Sequence, residues 1–159
     1  MKYLIVVRHG KYGLDGRLTE EGKDQIGILA EQLVPFVQGN SVVILASPLP
    51  RTMETLGIVW RTIKDWVRTD LDQSQQLISC PELLRDSNST DPMAALQLIL
   101  GYHNRSVEVV IVVTHEVLTE YLPVEFAKRA LHRELSRIIL GCGQARVVGV
   151  DPAGDHWLE

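Results

Sequence analysis

"YLIVVRHGK", residues 3–11, joins an unbroken apolar run to two cations and an imidazole. A short run rich in Val and Ile, with no polar alternation, is the pattern of a strand buried on both faces. Sheets of that kind are covered by helices on each side, so this one stretch predicts an α/β fold. The run stops at Arg8-His9-Gly10-Lys11. Polar residues also simply mark where strands leave a core, and a three-residue motif is weak by itself.

Outward from this strand, placed over residues 2–7, the same pattern recurs. A second strand is predicted over 42–46 and stops at Ser47-Pro48. "VEVVIVV", residues 107–113, is the most strand-like run, and it stops at Thr114-His115-Glu116. A shorter strand is predicted over 76–79. Helical patterns fill the gaps. Thr19 is a good N-cap, with Glu20 and Glu21 where the helix dipole favours acids. Ile26, Leu29, Ala30, Leu33 and Val34 then follow the spacing of one buried helical face, closed by Gly39-Asn40. Further helices are predicted over 50–66, with Leu56, Trp60 and Ile63 inward, over 92–100 after an Asp91 cap, and over 118–131. "PELLRDSNSTD", residues 81–91, reads as loop. The C-terminal "QARVVGVDPAGDHWLE" reads as a hairpin turning at Pro152, Ala153, Gly154 and Asp155. The expected architecture is one domain over 1–159: a three-layer α/β sandwich with a mostly parallel central sheet, helices on both faces and an antiparallel C-terminal edge hairpin.

Composition narrows the function. The chain has 159 residues, 45% hydrophobic and 23% charged, with a net charge of −4. An acidic chain argues against a nucleic-acid or anionic-membrane binder, so any basic site must be local. Cys80 and Cys142 lack a zinc or redox spacing and read as buried free thiols of a reducing compartment. The N-terminal apolar run is too short for a signal or a membrane span. The expected location is the cytoplasm.

Three predicted parallel strands thus end in polar residues, and ligands of open α/β sheets sit beyond the carboxyl ends of the strands. His9 and His115 are the two of five histidines at such ends; His103, His132 and His156 read as surface residues. Two histidines with two arginines suit phosphoryl transfer through a covalent phosphohistidine. A neutral imidazole nitrogen attacks phosphorus, and guanidinium groups hold the charge spread over the equatorial oxygens. Arg8 adjoins His9, and Arg51 opens the helix after Ser47-Pro48, where the helix N-terminus faces the same anion. No metal-ligand set is discernible, and no cofactor is expected.

The sequence resembles the histidine phosphatase superfamily, the phosphoglycerate-mutase-like enzymes. Four stretches carry the resemblance: "VVRHGK" at 6–11, "RLTEEG" at 17–22, "ASPLPRTMET" at 46–55 and "VVTHE" at 112–116. The short chain is most similar to the small bacterial phosphohistidine phosphatases. The resemblance implies that His9 is the phosphorylated nucleophile and that Arg8, Arg51 and His115 complete the phosphate pocket. Leu18, Thr19 and Gly22 read as a cap and a close-packing glycine, and Ser47 and Pro48 as mainly turn residues.

Two places depart from that pattern. Larger relatives have a glycine- and acid-containing segment that protonates the leaving oxygen; here "CPELLRDSNSTD" lacks it, leaving Glu82 and Asp86 as candidates. Lys11 after Gly10 is either a rim cation or a solvated lysine. The expected function is a metal-independent phosphatase acting on a phosphorylated protein histidine or a small phosphorylated metabolite. A phosphomutase of the same fold and a non-catalytic phosphate-binding module are the alternatives. No nucleic-acid or membrane partner is expected.

Overall fold

The structure is a computed structural model, and it describes residues 1–68, 76–84, 92–150 and 154–159. Its elements run β1 (Tyr3–Arg8), α1 (Glu20–Val37), β2 (Val42–Ala46), α2 (Pro50–Ile63), β3 (Leu77–Ser79), a 3-10 turn (Pro81–Leu83), α3 (Pro92–His103), β4 (Val109–Thr114), α4 (Glu116–Ala130), β5 (Ala145–Gly149) and β6 (Asp155–Leu158). The described strands form one sheet in the order β3-β2-β4-β1-β5-β6. β1 and β2 both pair in parallel with β4, and β3 pairs in parallel with β2. β5 and β6 are antiparallel, as the hairpin pattern predicts.

The period-2 geometry of strands sorts the apolar runs onto two faces. Ile5, Val7, Ile44, Ile111 and Val113 pack with Ile26, Leu29 and Leu33 of α1 and with Leu56, Val59 and Ile63 of α2. Leu4, Val6, Leu45, Val110 and Val112 pack with Leu96 and Ile99 of α3 and with Leu118, Leu122 and Phe126 of α4. Each fully buried Leu, Ile or Val contributes about 1.5–3 kcal/mol. This double coverage is why the strands carry no polar alternation.

Several details differ from the sequence reading. α2 ends at Ile63 rather than at 66. Trp66 N–H donates to the Ile63 carbonyl, and the Trp66 carbonyl accepts from Gly39 N–H, so the chain bends back against the end of α1. Trp60 is only half-buried, and Val59 takes its place in the core. Asp155 is a strand residue, not a turn residue. Its carboxylate binds the buried Arg146 guanidinium through two bonds, of 2.9 Å and 2.7 Å, which extends the ladder. His103 is the last residue of α3, half-buried edge-on to Phe126 rather than at the surface; His132 and His156 are exposed. Cys80 is buried but Cys142 only partly so. The proposed cap Asp91 and the turn residues Pro152 and Ala153 lie outside the described residues. No described helix is long and apolar enough to cross a membrane.

Candidate active site

β4 lies between β1 and β2, and their registers align the three strand ends: Arg8 sits opposite Thr114, and Ala46 opposite Val113. The next residues along, His9, His115 and Ser47, therefore emerge side by side. Two backbone bonds hold them there, His9 N–H to the Thr114 carbonyl (3.3 Å) and Ser47 N–H to the Val113 carbonyl (3.2 Å). α2 and α4 both begin at this edge, so two helix N-termini open onto it.

His9 is 3% exposed. Its Nδ1 lies 2.8 Å from the Gly10 carbonyl oxygen, which can only accept, so Nδ1 carries the proton. In the neutral ring Nε2 then keeps its lone pair, and Arg51 Nε–H points to it at 3.4 Å. Burial lowers the pKa to about 4, and the nearby Arg51 and Arg8 charges add to the decrease against the upward pull of the Gly10 carbonyl. At neutral pH the ring is uncharged, with the Nε2 lone pair facing a guanidinium.

The His115 ring centroid is 5.3 Å from that of His9. Its Nε2 is 2.8 Å from Ser47 Oγ, which is 2.8 Å from Thr52 Oγ1. Thr52 Oγ1 in turn faces the Ser47 and Leu49 carbonyls at 2.7 and 2.8 Å. Carbonyls only accept, so the Thr52 proton goes to one of them, Ser47 donates to Thr52, and His115 Nε2–H donates to Ser47. This chain sets which His115 nitrogen is protonated. Ser47 is thus more than a turn residue, the role its place before Pro48 suggests.

The two arginines are held differently. Arg8 Nη1 donates to the Leu140 carbonyl at 2.6 Å, and Nη2 pairs with Glu116 at 3.1 Å. Its Nε is buried without a hydrogen bond among the described residues. Arg51 lies over the Tyr12 ring, 4.4 Å from its centroid, a cation–π contact that steers the guanidinium toward His9.

Two glycines let this edge close against α1. A Cβ on Gly10 would lie 2.7 Å from the Gly22 carbonyl oxygen, and one on Gly22 only 2.0 Å from that of Lys11. Thr19 caps α1 by accepting from Gly22 N–H at 3.0 Å. Thr55, one turn beyond Arg51, accepts from Gly10 N–H at 3.2 Å and donates to the Arg51 carbonyl. "LTEEG" and "RTMET" are therefore the two sides of a brace around the His9 loop.

The structure brings His9, Arg51, Arg8 and His115 to one edge. Lys11 is exposed and paired with Glu21 at 2.6 Å. Glu82 is exposed on the 3-10 turn, which Thr114 ties to β4 by donating to the Leu83 carbonyl at 2.9 Å. Asp86 lies outside the described residues. Sequence reasoning missed Tyr12, Thr52, Thr55 and Glu116 as site neighbours. The helical offsets of Thr52 and Thr55 from Arg51 were a usable signal, whereas Tyr12 and Glu116 gave none. Among the described residues no three His, Cys, Asp or Glu side chains gather as metal ligands would.

No family model and no curated protein matches the sequence. Solved structures do match in three dimensions. The protein histidine phosphatase SixA complexed with tungstate aligns over 99% of this chain and 96% of its own, with a TM-score of 0.74 at 22% identity. Phosphoglycerate mutase from Plasmodium falciparum aligns over 99% and 89%, with a TM-score of 0.58 at 22% identity. Mycobacterial glucosyl-3-phosphoglycerate phosphatase aligns over 99% and 97%, with a TM-score of 0.61 at 14% identity. The chain therefore has the fold of the phosphoglycerate-mutase-like histidine phosphatases, the fold its four motifs imply.

Proposed function

We propose that the protein is a metal-independent phosphatase that works through a covalent phosphohistidine on His9 and acts on phosphohistidine in a protein. The observation that carries this is the His9 ring: Nδ1–H is committed to the Gly10 carbonyl, and a neutral Nε2 faces Arg51. In the first step the Nε2 lone pair attacks phosphorus, the bond to the leaving group breaks, and the leaving atom takes a proton. In the second step water attacks the phosphohistidine and releases phosphate. Arg8 and Arg51 hold the equatorial oxygens in both steps, and His115 borders the same oxyanion. Tungstate, bound in the similar SixA structure, is an oxyanion shaped like phosphate.

The choice of a labile phosphoryl donor rests on the acids. Glu116 is tied to Arg8, and Glu54 to Arg17 and to Leu18 N–H. Glu82 is exposed on the 3-10 turn, and its carboxylate has no hydrogen-bond partner among the described residues. A poor alkoxide leaving group needs a positioned general acid, typically for about 10²- to 10⁴-fold, whereas an imidazole or aryl oxide needs little. Steady-state rates on a histidine-phosphorylated protein, p-nitrophenyl phosphate and 3-phosphoglycerate test this. The first two should exceed the third by about 10²-fold in kcat/KM, with chelator present throughout. Equal efficiency on 3-phosphoglycerate would overturn the substrate assignment, and transfer rather than hydrolysis would make the protein a mutase. Oxyanion binding without turnover would make it a binding module.

A further inference from the structure

A cleft of about 610 Å³ lies beside the anion pocket, between the start of α1 and the outer face of α2. It adjoins the catalytic edge along the chain: Pro48 and Pro50 line it, and they are the sequence neighbours of Ser47 and Arg51, the partners of His115 and His9. Its floor is apolar, with the exposed Met53 and with Ile58, which also packs against the core beneath α2. Arg17, Lys23 and Arg61 border it. Arg17 pairs with Glu54, which also accepts from Leu18 N–H, and Lys23 pairs with Glu20, whereas the exposed Arg61 has no ion-pair partner among the described residues.

Gly57 sits in the middle of α2 and lines the same cleft. Glycine disfavours a helix interior, and a reason for it is usually close packing. None exists here: a Cβ would meet only Arg61 Nη1, at 3.7 Å. What the missing side chain provides is depth between Met53 and Ile58. Arg61 thus leaves the rim with one uncompensated cation on a chain of net charge −4. It complements an acidic partner, while the apolar floor extends beyond what a phosphate ester alone would cover.

We propose that this cleft docks an acidic, leucine-bearing segment of the phosphoprotein substrate, next to the histidine that enters the anion pocket. The proposal rests on the phosphatase reading, and its test separates the two. Two synthetic phosphohistidine peptides of equal length, one flanked by glutamate and leucine and one by lysine and leucine, are compared with p-nitrophenyl phosphate. The acidic peptide should be favoured by about tenfold in kcat/KM at low salt, with the preference falling as salt screens the rim. Gly57→Gln and Arg61→Glu should each erase most of that preference, through KM, and leave the aryl phosphate rate unchanged. Equal kcat/KM for the two peptides, or a preference that survives both substitutions, overturns the docking site and leaves the phosphatase intact. If no substrate turns over, the phosphatase reading fails, and anisotropy of a fluorescein-labelled unphosphorylated acidic peptide decides the cleft alone. Binding lost in both variants upholds it, and absence of binding to the native protein overturns it.

Discussion

His9 and His115 leave adjacent parallel strands, both almost fully buried, yet they are oriented by different kinds of group. His9 is set by its own main chain, through the Gly10 carbonyl. His115 is set by side chains, through Ser47 and Thr52. A backbone acceptor cannot be removed by substitution, and it keeps the lone pair on Nε2, which faces Arg51. A hydroxyl chain can be shortened one atom at a time. His9, the proposed nucleophile, is thus the more rigidly specified of the two, and His115 the more adjustable.

The largest effect should come from removing the fixed member of the pair. His9→Ala is expected to abolish turnover and the acid-labile phosphoenzyme, with the circular dichroism spectrum retained, because His9 lines the site rather than either apolar cluster. Residual phosphoenzyme in that variant would move the nucleophile to His115. Next is Arg51→Ala, which removes the guanidinium facing Nε2. A loss of about 10²-fold or more in kcat is expected, the scale for one preorganised charge donor. A loss under about threefold would show that Arg8 alone carries the anion.

His9 also predicts how stability depends on pH. Its folded pKa is depressed from 6.5 to about 4 by burial. Between those values the unfolded chain binds a proton at this position that the folded chain does not. Stability contributed here is therefore present above about 6.5 and is lost as pH falls toward 4. The loss is on the order of 3 kcal/mol at most. Thermal melts at stepped pH should show the native protein losing more stability over this window than His9→Ala does. Parallel curves would mean that the ring is not desolvated as its burial indicates.

Most of the sheet was legible because burial on both faces leaves an unbroken apolar run, and strand ends then mark the site edge. His9, Arg8, Arg51 and His115 could be read from that edge and the motifs it carries. Tyr12 and Glu116 could not, since a ring over a guanidinium and an ion pair across the sheet depend on register that no local pattern encodes. Ser47 was misjudged for a related reason. A serine before proline reads as a turn, and only the β2–β4 register brings its hydroxyl to His115. The hairpin turn was misplaced by one residue because Asp155 answers to a buried Arg146, a distant partner.

The smallest effect, and the sharpest test of the contrast, is expected at Ser47. Ser47→Ala removes one oxygen from a fully buried position and with it the Ser47 acceptor of His115 Nε2–H. Losing a buried hydrogen-bond partner costs about 1–3 kcal/mol, which favours a turn of the ring or a move of its proton. A loss of about tenfold in kcat is the expected result, since 1.36 kcal/mol corresponds to tenfold in rate, with KM for p-nitrophenyl phosphate nearly unchanged. A merely structural serine would lower thermal stability without altering the imidazole. Side-chain nitrogen NMR separates the two. In the native protein the His115 proton should reside on Nε2, and in Ser47→Ala that signal should shift or split while the His9 Nδ1–H signal stays in place. If His115 instead carries its proton on Nδ1 alone in the native protein, Ser47 would be the donor in that bond and the direction of the Thr52–Ser47–His115 chain would reverse.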